Sequence, residues 1–256
     1  MALFPHTALP EVPFQLRKAN LPHTCGYSPE DNNFVLGRFA ASIGAGYINL
    51  LNVLHKNDEE ALLGAIGDAF SSDTVIMSDA FVWTKDPANF EMMDTLAEWF
   101  ATVYQSNDPA SVPKKILFPV TVISQDKEVH ALVGAIDFNP ATRKLDFTLL
   151  DQHVNRNNPK LDFSKEIDVV GQRFAEKLGG SFHTNAEPYC SVRNVCGIAS
   201  IETIKTLAMT KDRPSFSIAA DGSALALDED AVRAAHGANL ELAGREPGAL
   251  GGEMKR

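Results

Sequence analysis

The sequence predicts an α+β protein, with a mixed, mostly antiparallel sheet, helices packed on it and a helical layer before it. Two observations carry that expectation. A helical apolar period runs through "DPANFEMMDTLAEWFATVYQ", where Phe90, Met93, Leu96, Ala97, Phe100 and Tyr104 recur at three- and four-residue steps. The pattern then shifts to β-branched and aromatic runs separated by turn residues, "KILFPVTVI", "VHALVGAIDF" and "KLDFTLL", before helical spacing returns.

Taken in order, residues 1–32 are proline-rich and aperiodic, which suits an irregular N-terminal arm. Residues 33–110 read as the helical layer. Asn57 with Glu60 three residues on makes a capping box, and Asp86 can cap a helix that has Pro87 at its first position. Residues 111–213 form the core. Within it Ser164 is placed to cap a helix with Ile167, Val170, Phe174 and Leu178 on one side, which Gly179 and Gly180 stop. "SFHT" makes a further short strand, and a helix opens at Cys196. Residues 214–256, rich in Ala, Gly and Asp, read as a weakly structured C-terminal tail.

Composition excludes some functions. With a formal charge of −10 over 256 residues, broad binding to nucleic acid or to an anionic membrane is disfavoured, although a local basic pocket is not. No apolar run reaches the ~18–20 residues of a membrane span. Cys25, Cys190 and Cys196 are too few and too irregular for a disulfide framework, so a reducing compartment fits. His23, Cys25 and Cys190 lack any usual metal spacing, and no metal site is expected.

The hairpin 129–153 is specified closely. With the turn at 139–143, pairing Phe138 with Leu145 puts Leu132, Gly134, Ile136 and Phe138 on one face with Leu145, Phe147, Leu149 and Asp151. A one-residue slip would bury Asp146 and Thr148 instead. In this register His130 and Asp151 are diagonal neighbours, roughly 7–8 Å apart at the backbone, within side-chain reach. His153, opposite His130, is a competing base. Taken alone, such a pair also fits an ordinary surface at a hairpin end.

Cys196 begins "CGIASIETIKTLAMTK", with Ile198, Ile201, Ile204 and Leu207 or Ala208 on one face. A thiol at a helix N-terminus is shifted toward thiolate. Gly197 would leave room for a substrate, and local N–H groups could serve an oxyanion. A free cysteine is equally at home as an inert wall of the core.

The order His130, Asp151, Cys196 adds information. "VHALVGAIDF", "LDFTLLDQ" and "NVCGIASIETIKTL" resemble, in order, the His, acid and Cys segments of a clan of cysteine peptidases. That clan contains adenovirus-type proteases, SUMO and ubiquitin-like-protein proteases, and the YopJ family of bacterial effectors. "CGIASIETIKTL" is most similar to the YopJ-type segment, and the resemblance covers about residues 114–210.

The resemblance implies a papain-like cysteine-protease type core, with His130 as general base, Asp151 as its orienter and Cys196 as the acyl-carrying nucleophile. The YopJ branch implies an effector secreted into the host-cell cytoplasm. It would transfer acetyl from acetyl-CoA to a Ser, Thr or Lys of a host protein, with inositol hexakisphosphate as activator. The protease branch implies an isopeptidase for ubiquitin or a ubiquitin-like modifier. A non-catalytic binding module on the same fold is a third reading.

Two departures bear on these expectations. The clan places a Gln five to seven residues before the Cys as an oxyanion donor, where this chain has Tyr189, Cys190 and Ser191. Asn185 or Asn194 could take that role. The segment after the Cys is also short, leaving Lys205, Lys211 and Arg213 as the candidates for a basic pocket.

Overall fold

The computed structural model describes residues 27, 29–49, 67, 69–78, 81–83, 87–123, 129–154, 163–192, 195–210 and 212–242. The described strands are β1 (Gly46–Ile48), β2 (Thr74–Met77), β3 (Phe81–Trp83), β4 (Lys115–Ile123), β5 (Val129–Asn139), β6 (Lys144–Leu150) and β7 (Phe182–Thr184). The described α-helices are α1 (Pro29–Ile43), α2 (Pro87–Ser106), α3 (Ser164–Leu178), α4 (Cys196–Met209), α5 (Ser215–Asp221) and α6 (Glu229–Leu242).

The strands form one mixed sheet ordered β1-β2-β4-β5-β6-β7, with β3 also paired to β4. The antiparallel ladders β4–β5 and β5–β6 hold nine and seven residue pairs, against three for each parallel ladder. The hairpin register is the expected one, Phe138 opposite Leu145 and Gly134 opposite Leu149.

Alternation of side chains divides the core between the two faces of this sheet. On one face Ile116, Phe118, Leu132, Ile136, Phe147 and Leu149 pack against Phe100 and Tyr104 of α2 and Ile167, Phe174 and Leu178 of α3. On the other, Leu117, Val133, Ala135 and Leu150 meet Leu36 and Ala40 of α1 and Ile198, Ile201 and Ile204 of α4. The sheet is therefore covered by helices on both sides.

Several expectations are corrected here. Residues 33–110 are not a separate helical layer: α1 and α2 lie on opposite faces, and β1, β2 and β3 extend the sheet itself. Strands of three or four residues are too short to display a period of two. Residues 214–256 are not uniformly weak, because α5 and α6 are helices through Leu242. Their buried apolar side chains, Ile218 on α5 and Val232, Ala235 and Leu240 on α6, are set among Ala, Gly and Asp, a composition that reads as a loose tail.

Helix α6 has a sequence-encoded start. Asp228 precedes it and its Oδ1 accepts the Ala231 N–H at 2.8 Å, an N-cap. Ser164, in contrast, is the first helical residue of α3; Phe163 occupies the cap position, without a side-chain cap bond. The stop is as expected, Gly179 having φ 74°. Asn57, Glu60 and Asp86 lie outside the described residues.

Lys115, the first residue of β4, is buried. Its buried ammonium donates to the carbonyls of Leu207, Thr210 and Arg213 at 3.2, 3.1 and 2.9 Å. Asp137 Oδ1 lies 3.8 Å away and accepts from Ser215 at the start of α5. A cation at the C-terminus of α4 complements the helix dipole, and anchors the end opposite Cys196.

Candidate active site

Three elements converge on one point. β5 extends past its last pair with β6, Val133–Leu150, and carries His130, which pairs with Val122 of β4. The residue after β6 is Asp151, and α4 begins at Cys196.

His130 Nε2 donates to Asp151 Oδ1 at 2.7 Å, with His130 and Asp151 side chains only 11% and 6% exposed. The cross-strand geometry foreseen for the hairpin thus brings imidazole and carboxylate into contact. The Cys196 thiol lies within electrostatic reach of the His130 imidazole and of the main-chain N–H groups of Ala131 and Gly197. With Nε2 committed to Asp151, Nδ1 is the ring nitrogen left to face sulfur.

These contacts decide the protonation of the site. Burial opposes charge on His130, but the hydrogen bonds to Asp151 and Cys196 override it, and the imidazole is pushed up to about 9. Burial would raise the Cys196 thiol, yet His130 and the two N–H groups hold it below the ordinary thiol range. Asp151 is likewise held below the usual carboxylate range: burial is outweighed by the bond to His130. The three shifts act together toward a thiolate–imidazolium pair beside an ionised carboxylate.

The surroundings fix the three groups. The Phe163 ring stacks on His130, centroids 5.3 Å apart at 14°. Asn185 holds the acid's main chain: its Oδ1 accepts the Asp151 N–H at 2.8 Å, and its Nδ2 donates to the carbonyls of Asp151 and Glu187 at 2.7 and 2.9 Å. Gln152 Nε2 donates to Ser200 Oγ at 2.6 Å, tying the end of β6 to the first turns of α4. Neither the Phe163 stack nor the Gln152–Ser200 tie was legible in the sequence, because both join segments more than thirty residues apart without any pattern between them.

Three expectations about the site change. Asn185 is committed to Asp151 and Glu187, so it positions the acid and is not an oxyanion donor; Asn194 lies outside the described residues. At the positions where the clan has Gln, the buried Tyr189 hydroxyl accepts from Thr203, and Cys190 Sγ donates to the Val192 carbonyl. Gly197 does not leave space for a substrate: a Cβ there would stand 2.9 Å from the main-chain nitrogen of Tyr27. His153 stacks obliquely on His130 at 5.8 Å and donates its N–H to Asp151, a support for the pair rather than the base.

The basic-pocket candidates are engaged as well. Lys205 donates to Glu202 and Asn239, each at 2.7 Å, and Arg213 lies 3.6 Å from Asp221. Lys211, His23 and Cys25 lie outside the described residues. Among the described residues no group of three His, Cys, Asp or Glu side chains is placed to hold a metal, and no helix is long and apolar enough to cross a membrane.

No family model matches the chain, and no curated protein matches it. Among solved structures it is similar to the SUMO protease Ulp1, at 15% identity and a TM-score of 0.47, over 90% of this chain and 80% of that one. It is also similar to the Legionella pneumophila effector protein RavZ, at 15% identity and a TM-score of 0.41, over 72% of this chain. RavZ in complex with human LC3B gives 13% identity and a TM-score of 0.40. The chain spans 59% of the RavZ chain it matches.

Proposed function

We propose that the chain is a cysteine hydrolase that cleaves a peptide or isopeptide bond through an acyl-thioester on Cys196, with a ubiquitin-like modifier as the acyl donor. The observation that carries this reading is the contact of His130 with both Asp151 and Cys196. The modifier as substrate class follows from the clan resemblance of the three segments that supply these residues.

In the first half-reaction the Cys196 thiolate adds to the scissile carbonyl carbon. The tetrahedral oxyanion meets the N-terminus of α4, whose first N–H groups have no intrahelical acceptor. The intermediate collapses as the C–N bond breaks, and the His130 imidazolium gives its proton to the leaving amine. Neutral His130 then takes a proton from water as the hydroxide adds to the thioester. The carbon–sulfur bond breaks to return the Cys196 thiolate beside the His130 imidazolium, and the carboxylic acid leaves and gives its proton to solvent. Asp151 holds the ring and offsets the imidazolium charge throughout.

A second reading keeps the same nucleophile but gives the acyl group to a protein side chain, as in an acetyl-CoA-dependent effector of the YopJ type acting inside a host cell. That reading calls for cations to hold coenzyme A and inositol hexakisphosphate phosphates. Of the candidates for that role, Lys205 is part-buried against Glu202 and Asn239, and Arg213 is exposed beside Asp221.

The test is intact mass of wild-type and Cys196→Ala protein after exposure to ubiquitin and SUMO probes carrying a C-terminal electrophile, and separately to acetyl-CoA. A modifier adduct mapped to Cys196 and absent from the variant supports the hydrolase. An acetyl adduct at Cys196 with no modifier adduct supports the transferase. Silence in both arms overturns the enzyme reading.

A further inference from the structure

We infer that the groove between β7 and α5 docks an extended, basic segment of the protein substrate, laid along the free edge of β7. The groove has a volume of about 1050 Å³, at the upper limit of the roughly 300–1,000 Å³ usual for a small-molecule pocket, and it is open rather than enclosed. Its walls are largely apolar, with Phe182, Phe216 and Leu227 among them. It is a second recognition surface, separate from the thiol, and rests on the reading that the substrate is a protein.

Three features select this occupant. First, β7 ends the sheet among the described residues, so alternate main-chain N–H and C=O groups face away from β6. An extended peptide can continue the ladder there by strand addition, which supplies affinity without dictating sequence. Second, the groove wall is built. His183 stacks on Phe216 at 4.3 Å and 20°, and Leu227 pairs with Tyr189 and Ser191 to close one end. Third, the lining is acidic: Glu187 and Asp228 face the groove with no Lys or Arg among the lining residues, and Asp221, also in the lining, has Arg213 beside it at 3.6 Å. Complementary charge favours a Lys- or Arg-bearing strand and disfavours an acidic one.

Position joins the groove to the site. Its lining includes Asn185, which holds the Asp151 main chain, and Tyr189 and Cys190, whose N–H groups both donate to the Gln152 carbonyl next to Asp151. A strand seated on β7 therefore lies beside the residue that holds the acid.

The probe is a fluorescein-labelled peptide of alternating Lys and Val, titrated by anisotropy against the full-length Cys196→Ala protein, so that no turnover intervenes. A Glu–Val peptide of equal length controls for charge, and a Lys–Val peptide with every amide N-methylated controls for strand pairing. Saturable binding of the Lys–Val peptide is expected, about tenfold weaker for each control and for the E187K/D221K protein. If that variant does not fold, Glu187→Gln with Asp221→Asn takes its place and is expected to weaken binding to a lesser degree.

The inference is overturned if the Lys–Val peptide does not saturate, if either control peptide binds as well, or if the folded variant binds unchanged. Failure of the hydrolase reading is read separately, from labelling of wild-type Cys196 by the modifier probes. Anisotropy on Cys196→Ala reports the groove whichever way that falls.

Discussion

His130 Nε2 lies 2.7 Å from Asp151 Oδ1, two residues that a single hairpin register makes diagonal neighbours across β5 and β6. The contact has a mechanistic consequence: it raises the imidazole to about 9, and the imidazolium in turn draws the Cys196 thiol down toward thiolate.

Replacing Asp151 with Asn removes the carboxylate while keeping its shape. Hydrolysis is expected to fall by about 10³–10⁴-fold, as when the orienting acid of a triad is neutralised. The alkaline limb of the pH–rate profile, set by His130 near 9, should move toward the unperturbed value of about 6.5. Stability should change with it. His130 is raised in the folded state, so its contribution is full below about 6.5 and lost as pH rises through about 9. Asp151 is depressed, so its contribution is present above about 3.9 and lost as pH falls through its folded value. Thermal midpoints of the variant should therefore lose part of both pH dependences.

Asn185→Ala leaves the buried N–H and C=O of Asp151 without their partner. Chemical denaturation should show a loss of about 2–3 kcal/mol. Turnover of a variant still folded at assay temperature should fall too, since the carboxylate is no longer held against His130.

Gly197→Ala would ordinarily stabilise a helix by about 1 kcal/mol. Here the new methyl meets the main chain of Tyr27 at 2.9 and 3.0 Å, and overpacking should cost about 1–3 kcal/mol instead. A lowered thermal midpoint is the expected result.

Lys115→Met removes the cation from three carbonyls near the end of α4 and from Asp137. Breaking a buried pair from one side costs about 3–5 kcal/mol, to be read from urea unfolding. Lys114→Met, at an exposed pair with Asp73, should change stability by less than about 1 kcal/mol.

The sheet centre was legible because the turn signal at 139–143 and the apolar row Leu145, Phe147 and Leu149 select the pairing of Phe138 with Leu145, although the opposite face, with Thr148 and Leu150, is buried as well. The same register placed His130 beside Asp151, and helical spacing after Cys196 located α4. What stayed hidden depended on contacts distant in sequence. β1, β2 and β3 acquire their identity from pairing with one another and with β4, and Lys115 looks like any basic residue until the end of α4 arrives above it. Gly197 reads as open space in sequence because nothing near it announces the main chain of Tyr27.

The central claim, a Cys196 thiolate held by His130, is tested most directly by the rate of iodoacetamide alkylation at Cys196 against pH. Peptide mapping would separate it from Cys25 and Cys190. For the wild type, reaction should persist on a plateau through neutral pH and step up again near 9, as the imidazolium loses its proton. In His130→Ala the plateau should vanish, leaving one step near the ordinary thiol value of about 8.5 or above. A wild-type profile with that same single step would contradict the ion pair, and with it the assignment of Cys196 as an activated nucleophile.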